Sequence, residues 1–126
     1  MKKITLSLAV LAAGLLFAGC TSVDVVRNPD LSGEKLAVSG QTIAHLNCQN
    51  WGIYLFTIPL LTGSTEAPGA IAVLKDTVNV PATLPVMTAK SKEIGASKLL
   101  DLSSQYGEFG LIFYSRSLNI SGNAIR

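Results

Sequence analysis

The hydrophobic and polar positions of this 126-residue chain change their rhythm several times. Ile4 to Phe17 is a nearly unbroken apolar run of 14 residues behind Lys2 and Lys3, and Ala18-Gly19-Cys20 closes it with small side chains. The run is short of the roughly 20 residues that a transmembrane helix needs. A positive start, a short apolar middle and a small-residue end make a cleavable export signal. From Thr21 to Gly33 the pattern turns small and polar, with turn chemistry at Asn28-Pro29-Asp30 and Leu31-Ser32-Gly33. This stretch reads as a tether spanning at most roughly 45 Å when extended. Val23, Val25 and Val26 are its one strand-like feature.

Period-two alternation begins at Leu36 to Leu46, with Val38, Thr42, Ala44 and Leu46 on one parity and Ile43 and His45 on the other. Gly40 suggests a bulge. Asn47 to Asn50 punctuates the pattern. Trp51 to Ile58 then resumes it as an apolar, β-branched and aromatic strand that Pro59 ends. Thr62 to Gly69 is a loop, and Ala70 to Leu74 is a short strand or the lead-in to a helix. The spacing predicts a helix from about Thr83, with Pro85 in its first turn, an apolar stripe of Val86, Ala89 and Ile94, and Gly95 as its stop. Lys98 to Ser104 follows as a strand, Gln105 to Gly110 as a glycine-bearing hairpin connection, and Leu111 to Arg126 as a closing strand with a bulge near Gly122. The expected fold is α+β: a small antiparallel sheet with one covering helix. The expected division is a cleaved signal over 1–19, a tether over 20–33 and a single domain over 34–126.

Leu16-Phe17-Ala18-Gly19-Cys20 resembles the lipobox of bacterial lipoproteins, with an aromatic where leucine is commoner. The resemblance implies cleavage before Cys20, a diacylglyceryl thioether on its sulfur, an acylated amine and a membrane partner through that anchor. Thr21 stands where an inner-membrane retention signal would place Asp, which favours the periplasmic face of the outer membrane. Removing residues 1–19 leaves 107, enough for one modest core.

Charge and cysteine count narrow the chemistry. The formal charge of +2 is carried by Lys2 and Lys3, so the chain from Cys20 onward has eight basic and eight acidic residues. A neutral chain lacks the positive footprint of a nucleic-acid binder. With Cys20 consumed by lipid, Cys48 is left without a cysteine partner in the same chain, as a buried small hydrophobe or the site of an intermolecular disulfide. His45 and Cys48 supply at most two ligands, too few for a zinc site. The carboxylates are scattered singly, Asp101 between Leu100 and Leu102 being the one most worth inspecting. No Gly-x-Ser-x-Gly elbow, phosphate loop or dinucleotide fingerprint occurs. The residues point to a non-enzymatic protein with no cofactor.

The segment Ala89 to Leu102 together with Ile120-Ser-Gly-Asn-Ala-Ile-Arg126 is similar to the YbjQ/RcsF-like small βαββ domains, which implies that order of elements and little about activity. Trp51 to Leu61 is either a central strand buried on both faces or an exposed patch with Trp51 and Tyr54 as anchors. The leading expectation is a lipid-anchored envelope protein that binds another envelope protein, with Trp51, Tyr54 and Phe56 as the candidate patch. The alternative is a small-molecule or metal-ion binding module near His45 and Cys48.

Overall fold

A computed structural model of the protein describes residues 21–27 and 42–126. The leader, Cys20 and residues 28–41, including the predicted start of a strand at Leu36 and the bulge at Gly40, lie outside the described residues.

Among the described residues, six strands and one helix follow in the order β1 (Ser22–Arg27), β2 (Thr42–Leu55), β3 (Ile58–Gly63), β4 (Ile71–Val73), α1 (Val80–Glu93), β5 (Lys98–Gly110) and β6 (Phe113–Ile125). All pairings are antiparallel. The sheet runs β4-β3-β2-β6-β5, and β1 pairs with the first part of β2 on the edge where β3 pairs with its last part. The fold is α+β, mostly sheet, with the helix on one face.

Fourteen residues of unbroken alternation make β2 the spine. Ala44, Leu46, Cys48, Asn50, Gly52 and Tyr54 are all buried on the helix side. There they meet Leu118, Ile120 and Ala124 of β6 and Val86 and Met87 of α1. The expected break at Asn47 to Asn50 does not occur. Asn47 and Gln49 point to the other face, opposite Ser121 and Asn119 of β6. Asn50 stays in the core because its amide donates to Thr77 O at 2.8 Å. Of the polar residues read as punctuation, Asn50 is kept in the strand by a partner 27 residues along the chain.

The expected tether is corrected at Ser22–Arg27. Val23 and Val25 pack against the core while Ser22 and Asp24 face water, so the segment has a strand's period and a sheet edge to join. Thr21 is 2% exposed.

Helix α1 begins earlier than its apolar stripe predicts. Asn79 is the cap, its Oδ1 accepting from Ala82 N at 2.8 Å, and Pro81 occupies the first turn. The helix then continues through Pro85. Proline removes the bond to the carbonyl four residues back, that of Pro81, and both prolines lie on the exposed face where water can solvate it. The predicted hairpin connection at Gln105 to Gly110 is instead the second half of β5, and the turn falls at Leu111-Ile112. Gly107 lies inside the strand, where a Cβ would stand 2.8 Å from Ser117 Oγ. Gly110, with φ of 121°, supplies the bend. Pro59 likewise sits within β3, where the β2–β3 register shifts between Ile53 and Tyr54.

Candidate interaction surface

The three residues expected to form a patch are separated by the pleat of β2. Tyr54 points inward, 1% exposed, and its hydroxyl donates to Asp76 Oδ1 at 2.7 Å. Burial, with that hydrogen bond and the Asp76 charge beside it, pushes its phenol well above the ordinary range. Its ring stacks on Tyr114 at 5.2 Å between centroids, and the Arg116 guanidinium lies 5.1 Å above it. Trp51 is half-buried on the opposite face. Phe56, in the turn after β2, is the one exposed member at 60%. A strand places alternate residues on opposite sides, so positions 51, 54 and 56 cannot form one patch.

Phe56 belongs to a different surface. Of the ten exposed large apolar side chains among the described residues, eight gather at one end of the sheet: Phe56 and Ile58 at the β2–β3 turn, Phe109, Leu111, Ile112 and Phe113 at the β5–β6 turn, and Val73 and Leu74 at the end of β4. Leu111 is 92% exposed and Phe109 85%. The two turns are tied together by Phe56 N donating to Ile112 O at 2.8 Å, and Leu74 N donates to Leu60 O at 3.2 Å. Phe56 and Leu74 both have positive φ, 53° and 54°, the left-handed region where Gly, Asn or Asp is usual. Bulky apolar residues thus stand in water on backbone that disfavours them. The clustering could have been found in the sequence only by knowing that these turns lie side by side.

The other two exposed apolar side chains, Leu102 and Tyr106, belong to β5. Every residue from Asp101 to Gly110 is exposed. Among the described residues, no strand pairs with the outer edge of β5.

His45 and Cys48 do not form a site. His45 faces the side away from the helix and its Nδ1 is 2.9 Å from Asn123 Oδ1. Cys48, fully buried, faces the core, and burial pushes its thiol up to about 11. The structure does connect His45 with Asp101, the two side chains singled out above: Asn123 Nδ2 donates to Asp101 Oδ2 at 3.0 Å. Asp101 sits at the β5 irregularity with φ of 53°, which an aspartate tolerates. The triplet locks β2, β6 and β5 across the open face. Among the described residues, no group of three or more His, Cys, Asp or Glu side chains could hold a metal ion. A groove of about 460 Å³ runs between α1 and the Thr65–Pro68 loop, lined by Val23, Glu66, Val86, Lys90 and others, with neither His45 nor Cys48 in it. No helix among the described residues is long and apolar enough to cross a membrane.

Comparison with known proteins gives no family: no family model, curated protein or solved structure matches this chain.

Proposed function

We propose that this chain is a non-catalytic, lipid-anchored protein of the bacterial cell envelope, held through Cys20 at the periplasmic face of the outer membrane, and that it binds another envelope protein along β5. The observation that carries the binding reading is the ten-residue exposed run from Asp101 to Gly110 on a sheet edge. A long unpaired edge is a template for strand addition, and the side chains alternating along it give specificity. Leu102 and Tyr106 supply apolar contacts, and the Glu108–Arg116 pair at 2.7 Å leaves little free charge to repel a partner. The order β4, α1, β5, β6 along the chain is that of a βαββ unit, but β3 and β2 stand between β4 and β6 in the sheet, so the likeness to small βαββ domains stops at element order.

Photocrosslinking in intact cells tests the reading. A crosslinking side chain at Gln105 or Tyr106 should capture one envelope protein, and the same group at Lys92 on α1 should not. Capture of the same products from both positions would contradict a partner on the β5 edge.

A further inference from the structure

We infer that the apolar end of the sheet is a second, non-covalent membrane contact that enters the bilayer to which Cys20 is tethered; the inference rests on the anchor reading above. Three observations carry it.

First, direction. β1 is antiparallel to β2, so its N-terminal end, Thr21 beside Asn50, points the way β2 runs toward Phe56. An anchor on the preceding residue draws this end of the sheet, and not the opposite one, toward the membrane.

Second, dimensions. Gly52 pairs with Arg116 three residues before Leu55 pairs with Phe113, so the zone beyond the Arg116–Glu108 ion pair is about 10 Å tall at the strand rise. Amphipathic helices lying in a membrane interface bury their apolar faces roughly 5–10 Å into the boundary of headgroups and acyl chains, a depth that this tip matches in height. Thr21 lies five residues, about 17 Å, short of the end of β2. One further residue adds at most about 3.8 Å, so a thioether-linked glyceryl on the residue before Thr21 has a reach of about 10 Å. With the glyceryl among the headgroups, the turns sit about 7 Å deeper, within the same range.

Third, composition. No charged residue occurs from Phe56 to Leu61 or from Phe109 to Ser115, and of the charges that follow Leu74, Asp76 is held by the Tyr54 hydroxyl and Lys75 by Glu66. Phe56 occupies a left-handed turn position that Asn or Gly would fill more cheaply in water, so its aromatic ring is there for a surrounding other than water. The chain from Cys20 onward has no net charge, so the contact is apolar and does not depend on anionic lipid. Inserted this way, the strands stand on end and β5 faces sideways along the membrane, open to a partner.

The test places a tryptophan at the tip by Leu111→Trp in the full chain, with Trp51 kept and its emission subtracted. The protein is purified from membranes and reconstituted in phosphatidylethanolamine–phosphatidylglycerol vesicles, some carrying brominated lipid. Tyr106→Trp on the β5 edge is the reference. The expected result is a blue-shifted emission at 111, lost when bromines lie near the top of the acyl chains, and a water-like emission at 106. A water-like, unquenched emission at 111 overturns the proposal. So does a blue shift that bromines leave untouched, which would mean that a second copy or another protein covers the tip. The intact mass of the same preparation separates the two readings. Acylated protein with an unquenched tip leaves the anchor standing and removes the insertion, whereas unmodified protein whose tip is quenched does the reverse.

Discussion

Replacing Asn50 by Asp changes one atom in the most enclosed polar site of the molecule and tests whether that site is built as described. Asn50 is completely buried. Its Nδ2 donates to Thr77 O at 2.8 Å and lies 3.3 Å from Thr83 Oγ1, joining the middle of β2 to the entry of α1. Its Oδ1 has no partner. An ionised Asp would set a carboxylate oxygen against the Thr77 carbonyl, which would keep only the Thr83 hydroxyl at 3.1 Å as a donor. Oxygen–oxygen repulsion in a fully buried site makes the native state keep the acid protonated. A buried carboxyl reaches a pKa several units above the ordinary 3.9. Holding it neutral at pH 7 costs about 1.36 kcal/mol for each of the roughly three units between pH 7 and the unfolded value, about 4 kcal/mol in all. The sign follows from a folded pKa raised above the unfolded one: the variant has full stability below about pH 4 and loses it as pH rises toward the folded pKa. In acid the protonated oxygen donates to Thr77 O as the amide did. Urea unfolding of the full chain in detergent, followed at pH 7 and pH 4, gives the measurement. A deficit of about 3–4 kcal/mol at pH 7 that shrinks below about 1 kcal/mol at pH 4 is expected. A deficit under about 1 kcal/mol at pH 7, or one that ignores pH, would refute the arrangement.

Further outcomes follow from single residues. Cys48 should resist alkylation in the folded protein and react fully in denaturant. Because burial raises its thiol from 9.0 to about 11, it should make stability fall by about 2–3 kcal/mol between pH 9 and pH 11, with Cys48→Ala removing that slope. Gly63→Ala should destabilise by about 2 kcal/mol or more in thermal unfolding, because the new methyl would press on Thr21 N and Asn50 Oδ1, buried groups that cannot yield freely. Phe56→Asn should do the opposite, adding about 0.5–1 kcal/mol in urea unfolding by relieving left-handed strain, while weakening contact with lipid. A stability gain bought at the expense of membrane contact would mark the turn as shaped for function.

How much of this was legible beforehand differs by element. The α+β class and the alternation of β2 came from the period of apolar residues, and α1 was foreseen from Thr83 on. The start of α1 is hidden in the sequence because its cap, Asn79, precedes Pro81 by two residues, and Pro85 outweighs both in a reading of local preference. At β1, Val23 and Val25 had the correct alternation, but six residues in a polar stretch become a strand only when a partner edge exists, and that edge is twenty residues away. The β5–β6 turn was misplaced for a chemical reason. Turn residues Leu111 and Ile112 carry no turn signal, whereas Gly107 and Gly110 did. The sequence leaves Tyr54 open between a buried strand residue and an exposed anchor, because the partner that settles it, Asp76, lies 22 residues along the chain. The same distance hid the apolar end, which is assembled from three separate corners of the sheet.

Both the inserted end and the sideways edge take their orientation from Cys20. Intact mass spectrometry of the protein purified from the membrane fraction, with Cys20→Ala beside it, tests that point most directly. A mature chain beginning at Cys20 with a diacylglyceryl group and an acylated amine, and an uncleaved, unmodified precursor for the variant, is the predicted result. A chain that retains Met1, or one whose Cys20 carries a free thiol, would contradict the account.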